Sequence, residues 1–241
     1  MSRVYADSVQ PRWDYQDLTL GASGDTIDIA GNIITADVLK DSGGNTLFES
    51  NGSGVLSNVN SGLKGNLVLI SSQTETNAAS ISFTSDIDST YDLYIFKFNA
   101  ANPVTDNVNF TFQCSTDGGS NYNIAMTTTA FEAIHNEDGG GGALGYMTGD
   151  DQSLGTSYQN LCFDLGNGAD ECCVGELYLF NPSSATYVKN WYCTSQGYHL
   201  SNYTINDFTA GYFNTSSAIN AIDFKMSSGN FDSTIKMYGL L

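Results

Sequence analysis

From about residue 65 to the C-terminus, apolar and polar residues alternate in short runs separated by Gly, Asn, Asp, Ser and Pro. A period of two with turn residues at roughly 10–15-residue intervals is the signature of strands, not helices. It predicts strands near 66–72, 78–85, 91–99, 107–115, 122–130, 143–148, 158–165, 173–181, 185–194, 203–213, 218–227 and 233–240. Tyr91-Asp92-Leu93-Tyr94-Ile95-Phe96-Lys97-Phe98 is largely apolar at both odd and even positions, which predicts a central strand. Asn-Pro at 102–103 and 181–182 marks turns. The expected fold for residues 65–241 is all-β: an antiparallel β-sandwich with a jelly-roll-like topology.

Residues 18–64 read differently. Leu18-Thr19-Leu20, Ile27-Asp28-Ile29, Ile33-Ile34, Val38-Leu39, Leu47-Phe48 and Val55-Leu56 are beats of two or three residues between glycines. They are too short for a helix stripe and predict no independent sheet, so the segment is expected to be extended and to cover itself by oligomerisation or on a neighbour. Residues 1–17 hold Arg3 and Arg12, the only arginines, beside Tyr5, Trp13 and Tyr15. These residue types dominate interface hot spots, so the N-terminus is expected to be a docking arm with these five residues as its contacts.

Ile27-Asp28-Ile29 followed by Lys40-Asp41-Ser42-Gly43-Gly44-Asn45-Thr46-Leu47-Phe48 resembles the shaft-like segments of tailed-bacteriophage fibre proteins. Ile81-Ser82-Phe83, Ser89-Thr90-Tyr91-Asp92, Phe110-Thr111-Phe112-Gln113, Phe180-Asn181-Pro182-Ser183 and Ala210-Gly211-Tyr212-Phe213-Asn214 look like a β-domain of marine-phage fibre or other structural proteins. The resemblance implies a non-enzymatic virion structural protein, first of all a tail-fibre or receptor-binding protein, anchored by its arm and displaying the sandwich. A capsid decoration (cement) or head-fibre protein is the alternative within that class. A polysaccharide depolymerase and a carbohydrate-binding module are the rivals outside it. The implied partners are two further copies in a homotrimer, a tail or major capsid protein, and a host surface glycan. The implied location is the virion surface, after assembly in the host bacterial cytoplasm.

Composition narrows the classes. Acids number 26 against 8 bases, for a formal charge of −18, which argues against nucleic-acid binding because phosphate neutralisation needs clustered Lys and Arg. No run of 18 apolar residues exists, so no membrane insertion is expected, and no secretory leader pattern is seen. Cys114, Cys162, Cys172, Cys173 and Cys193 are odd in number and lack zinc-ligand spacing, so buried free thiols are expected and no metal or other cofactor.

Candidate chemistry is sparse. Ser115-Thr116-Asp117-Gly118-Gly119-Ser120-Asn121-Tyr122 is similar to the Asp box of sialidases and other β-propellers, but it occurs once, with Asp41-Ser42-Gly43 as a partial echo. Its expected role is a hairpin turn. Glu132 with Glu137, Asp150 with Asp151 and Asp170 with Glu171 are candidates for the acid pair a glycosidase would need, and most of them lie in Gly- or Asn-rich loops expected to be solvated. Asp86 and Asp88 have carboxylates suited to calcium but not the EF-hand order. His135 and His199 fall in no nucleophile signature, so no catalytic residue is expected. Among the abundant aromatics, Tyr187, Trp191, Tyr192 and Tyr198 are the candidate glycan-contacting residues, with core packing and subunit contact as the competing explanation. Gly139–Gly142 is expected to be a hairpin tip rimmed by His135, Asn136, Glu137 and Asp138.

Overall fold

The computed structural model describes residues 38–41, 43–50, 53, 56–57, 59–60 and 66–240, and the chain divides after Asn60 into two units. In the first unit, β1 (Val38–Lys40), β2 (Thr46–Ser50) and β3 (Leu56–Ser57) pair antiparallel in that order. Asp41 makes the first reversal. Its Oδ1 accepts the N–H groups of Gly43 at 2.8 Å and Asn45 at 2.9 Å, while Gly44 takes a φ of 83°, which glycine adopts without strain. The expectation of no independent sheet here is corrected: a side-chain-capped turn closes the β1–β2 pair and β3 adds to it, even though each apolar beat is short. The arm of residues 1–17 and residues 18–37 lie outside the described residues.

The second unit contains β4 (Leu67–Ala78), β5 (Ile81–Phe83), β6 (Leu93–Pro103), β7 (Val108–Ser115), β8 (Met126–Asn136) and β9 (Gly142–Tyr146). It continues with β10 (Gln159–Leu165), β11 (Cys173–Phe180), β12 (Lys189–His199), β13 (Tyr203–Phe213), β14 (Ala221–Met226) and β15 (Phe231–Leu240). Each strand overlaps one expected from the alternation. The 12 strands form two layers, β4-β15-β6-β11-β12-β13-β8-β9 and β10-β7-β14-β5, joined where Leu165 of β10 pairs with His199 of β12. At the far edges, the Gln73 side chain of β4 donates to the Ser82 carbonyl of β5 at 2.7 Å. The result is a large, nearly closed antiparallel sheet, flattened like a sandwich.

The core lies between the layers, and aromatic rings bridge them. Phe96 meets Phe83 and Phe224 at centroid distances of 5.6 and 5.7 Å, Phe98 meets Phe110 at 4.9 Å, and Phe112 meets Trp191 at 4.7 Å. Each such ring contributes about 1.5–3 kcal/mol through loss of apolar surface to water. β15 shows how the strands are sorted: Phe231, Ser233, Ile235, Met237 and Gly239 are buried while the residues between them are half-buried on the other face. Gly175 sits where β11 crosses close to the core, and a Cβ there would lie 2.5 Å from both Phe98 Cζ and the Thr194 carbonyl.

β6 is central, between β15 and β11. Tyr94, Phe96 and Phe98 face the core, whereas Lys97 is exposed on the outer face and Ile95 is covered there by its paired neighbours Tyr178 and Tyr238. The Asp-box motif forms its turn, but not a hairpin. β7 pairs with β10 and β14, and β8 with β13 and β9, so the turn after Ser115 carries the chain from one layer to the other.

Candidate functional site

The outer face of the eight-stranded layer is unusually apolar for a surface. One cross-strand row runs Leu69, Tyr238, Ile95, Tyr178, Tyr192 and Ala210, and the next runs Lys236, Lys97, Glu176, Thr194, Phe208, Phe131 and Tyr146. Tyr178 and Tyr192 stack with centroids 4.6 Å apart, and Phe131 and Phe208 at 4.8 Å. Leu69, Phe131, Tyr146 and Tyr192 remain 52, 42, 58 and 43% exposed. Between the two stacks, Phe131, Phe208, Tyr192 and Ala210 line a hollow of about 200 Å³. Lys97 pairs with Glu176 at 3.1 Å, and Lys236 stands directly opposite Lys97, an arrangement of like charges that disfavours the bare sheet.

The four candidate glycan-contacting aromatics separate. Trp191 is corrected: it points inward, is 2% exposed and packs on Phe112 and Phe213, because strand alternation turns it away from Tyr192. Tyr192 belongs to the outer apolar row, and Tyr187 is 71% exposed in the loop before β12. Tyr198 lies in a polar groove. Arg3, Tyr5, Arg12, Trp13 and Tyr15 lie outside the described residues.

The groove of Tyr198 is built by segments far apart in sequence. The ends of β8 and β12 and the starts of β11 and β13 border an open hollow of about 510 Å³ beside the β8–β9 turn. A hollow of about 420 Å³ adjoins it, and Asn136 and Glu137 line both. Tyr198 Oη donates to Glu137 Oε1 at 3.1 Å, and the Gln196 side chain donates to the Thr204 hydroxyl. Gly139 (φ 74°) contributes backbone without a side chain to the wall, so the expected hairpin tip also forms part of a concave site.

The acids serve mainly as acceptors within loops. Asp150 accepts from Asn160 Nδ2 at 2.7 Å while Asp151 accepts from the Ala130 N–H at 3.1 Å and from the Tyr146 hydroxyl, so neighbours in sequence have separate partners. Glu171 accepts the Gly168 N–H at 2.6 Å. Glu132 lies on β8 opposite Asp207, and Glu137 is in the groove on the other face of the sheet. Asp88 accepts the Thr90 N–H at 2.7 Å and closes its own turn. Among the described residues no cluster suited to a metal ion is found, and all five cysteines are free, four of them buried. His199 stacks on Tyr203 at 3.8 Å and accepts the Ser201 N–H through Nδ1, a turn-closing role; burial lowers its pKa.

Asp207 escaped the sequence reading because it occupies one polar beat in an alternating strand. It is fully buried; Oδ2 accepts the Phe163 N–H at 3.3 Å, and Oδ1 has no hydrogen-bond partner. Burial pushes its pKa up to about 8. Ser195 beside it donates to the Leu161 carbonyl at 2.6 Å, so β12 and β13 are tied to β10 by side chains where the ladder between layers is thin.

The second unit is thus an all-β domain of two facing antiparallel layers with an apolar outer face and a polar groove at one end of it. No protein-family model, curated protein or solved structure matches the chain.

Proposed function

We propose that this chain is a non-enzymatic structural protein of a bacteriophage virion, a tail-fibre or receptor-binding protein that works as a homotrimer. The apolar outer face carries the reading. The apolar row from Leu69 to Ala210, joined by Phe208, Phe131 and Tyr146 of the next row, is the kind of surface that marks association rather than a free monomer. The occupant is a second copy of the chain. Lys97 pairs with Glu176 while Lys236 stands opposite Lys97, and the two lysines favour an acidic opposing surface, which a chain with 26 acids and 8 bases supplies.

Strand order supports the class at the level of fold. Leaving out β8–β9 and β12–β13, the layers read β4-β15-β6-β11 and β5-β14-β7-β10, the order of a jelly roll, an architecture used by viral capsid and lectin domains. The additional strands widen only the layer that bears the apolar face. Capsid decoration is the second reading, favoured because one compact β-domain behind a short N-terminal segment suits a clamp over capsid subunits. The non-enzymatic part is supported by Glu132 and Glu137 lying on opposite faces of the sheet and by Asp150 and Asp151 having separate partners.

Light scattering of the purified chain tests the assembly. The expected mass is three times the 25.8 kDa of one chain, falling to that of one chain in Tyr192→Glu with the far-UV spectrum retained. A folded wild-type monomer overturns the trimer. Copy number in particles separates the locations: stoichiometry with the major capsid protein gives decoration, and a handful of copies gives the tail.

A further inference from the structure

We propose that the groove around Tyr198 binds a neutral oligosaccharide. The proposal deepens the receptor-binding part of the reading above, and its geometry is independent of the apolar face. Strand rise places Tyr198 about 20 Å along β12 from Tyr192, so a second copy seated on the aromatic rows leaves the groove at its rim.

Shape comes first. The two hollows, about 510 and 420 Å³, lie side by side and share Asn136 and Glu137 as their common wall. Each is within the size range of small-ligand sites, and together their volumes leave room for more than one sugar ring. The β8–β9 turn beside them presents glycine backbone, so the wall near Gly139 admits a bulky, rigid ligand without moving a side chain.

Chemistry selects the ligand class. The aromatic ring of Tyr198 with Val174 beside it offers an apolar platform for the C–H face of a pyranose. Around this platform stand Glu137, Asn136, Gln196, Asn202 and Thr204, a set of planar carboxylate and amide groups and one hydroxyl. Such groups accept and donate in pairs, as vicinal sugar hydroxyls require. The bond from Tyr198 Oη to Glu137 Oε1 and that from Gln196 to Thr204 hold these side chains in place before a ligand arrives, which reduces the entropy lost on binding. Among the described residues no Lys or Arg lines either hollow, His135 is the one basic side chain in the larger, and Glu137 and Asp138 are both present. A phosphorylated, sialylated or uronic-acid ligand would meet uncompensated like charge there, and a lipid chain would leave the amides unpaired. A neutral polyhydroxylated ligand satisfies both conditions.

Saturation-transfer NMR and calorimetry on the full chain test this with maltotriose, cellotriose, mannotriose and chitotriose as neutral probes and sialyllactose and trigalacturonate as anionic ones. At least one neutral probe is expected to bind, with affinity reduced tenfold or more in Tyr198→Ala and in the exposed substitution Glu137→Gln, both checked for wild-type melting. Tyr192→Glu, on the association face, is expected to bind as wild type does. Binding by no neutral probe, preference for an anionic one, or unchanged affinity in both groove variants overturns the proposal. A monomeric wild type that still binds through Tyr198 would overturn the trimer and leave the groove assignment standing.

Discussion

Asp117 holds Asn121 by two bonds at once: Oδ1 accepts its backbone N–H at 2.9 Å and Oδ2 accepts its side-chain Nδ2 at 2.7 Å. Asp41 holds Asn45 in the same way, at 2.9 and 3.0 Å. The partial echo seen in the sequence is therefore a shared device, an Asp that clamps the Asn four residues on across a glycine-containing turn. In both turns the hydrogen bonds to the Asn, led by its side chain, lower the carboxyl pKa, for Asp117 to about 2.

The first prediction concerns that clamp. A carboxyl with a folded-state pKa below its unfolded value contributes stability above the ordinary carboxylate range and loses it as pH falls through the folded value, here about 2. Asn121→Ala removes the largest cause of the shift. Its melting temperature is expected to lie below wild type at pH 7 and to converge with it near pH 2, as followed by circular dichroism.

Gly175→Ala tests the close approach of β11 to β6. The added methyl meets a backbone carbonyl, Thr194 O, as well as the Phe98 ring, so rotating one side chain does not clear the space. Overpacking of this kind costs about 1–3 kcal/mol. Urea unfolding is expected to show a lower midpoint at unchanged slope, whereas an unchanged midpoint would show that the strands separate easily.

Much of the fold was legible because alternation is local: each strand carries its own period of two, and the turn residues bound it. The pairing order was not, because it depends on contacts such as Phe112 with Trp191, 79 positions apart by their numbers. Trp191 shows the limit within one strand. Alternation requires Trp191 and Tyr192 to face opposite ways, yet either phase leaves an aromatic outside, and only the packing of Phe112 and Phe213 selects Trp191 for the core. The groove was hidden for the same reason: His135–Gly139, Cys172–Val174 and Gln196–Thr204 meet only once β11, β12, β13 and β8 are paired side by side.

Ile95 illustrates a correct strand with an outward twist. It is 6% exposed although it lies on the outer face, because Tyr178 and Tyr238 flank it on the neighbouring strands. Ile95→Val is expected to cost about 0.5–1.5 kcal/mol in urea unfolding. Ile95→Asp places an unpaired carboxylate between two tyrosine rings and is expected to give aggregated protein on expression. A soluble, cooperatively unfolding Ile95→Asp would mean that the outer face opens to water at that point.

Asp207 makes stability depend on pH in the opposite sense to Asp117. Burial raises its folded-state pKa from the ordinary value of 3.8 to about 8, so the folded chain holds a proton that the unfolded chain releases across that interval. The contribution of this group is greatest below the unfolded value and is lost as pH rises through about 8. Its ionised form would lie between the layers with Oδ1 unpartnered, next to the Phe163 N–H that Oδ2 accepts. Asp207→Asn preserves the shape and an acceptor oxygen but cannot ionise. Thermal unfolding from pH 5 to pH 9 is expected to show the variant close to wild type at the acid end and more stable at the alkaline end, with a flatter slope between. Parallel curves for the two proteins would place the proton elsewhere and show that Asp207 is ionised in the folded core.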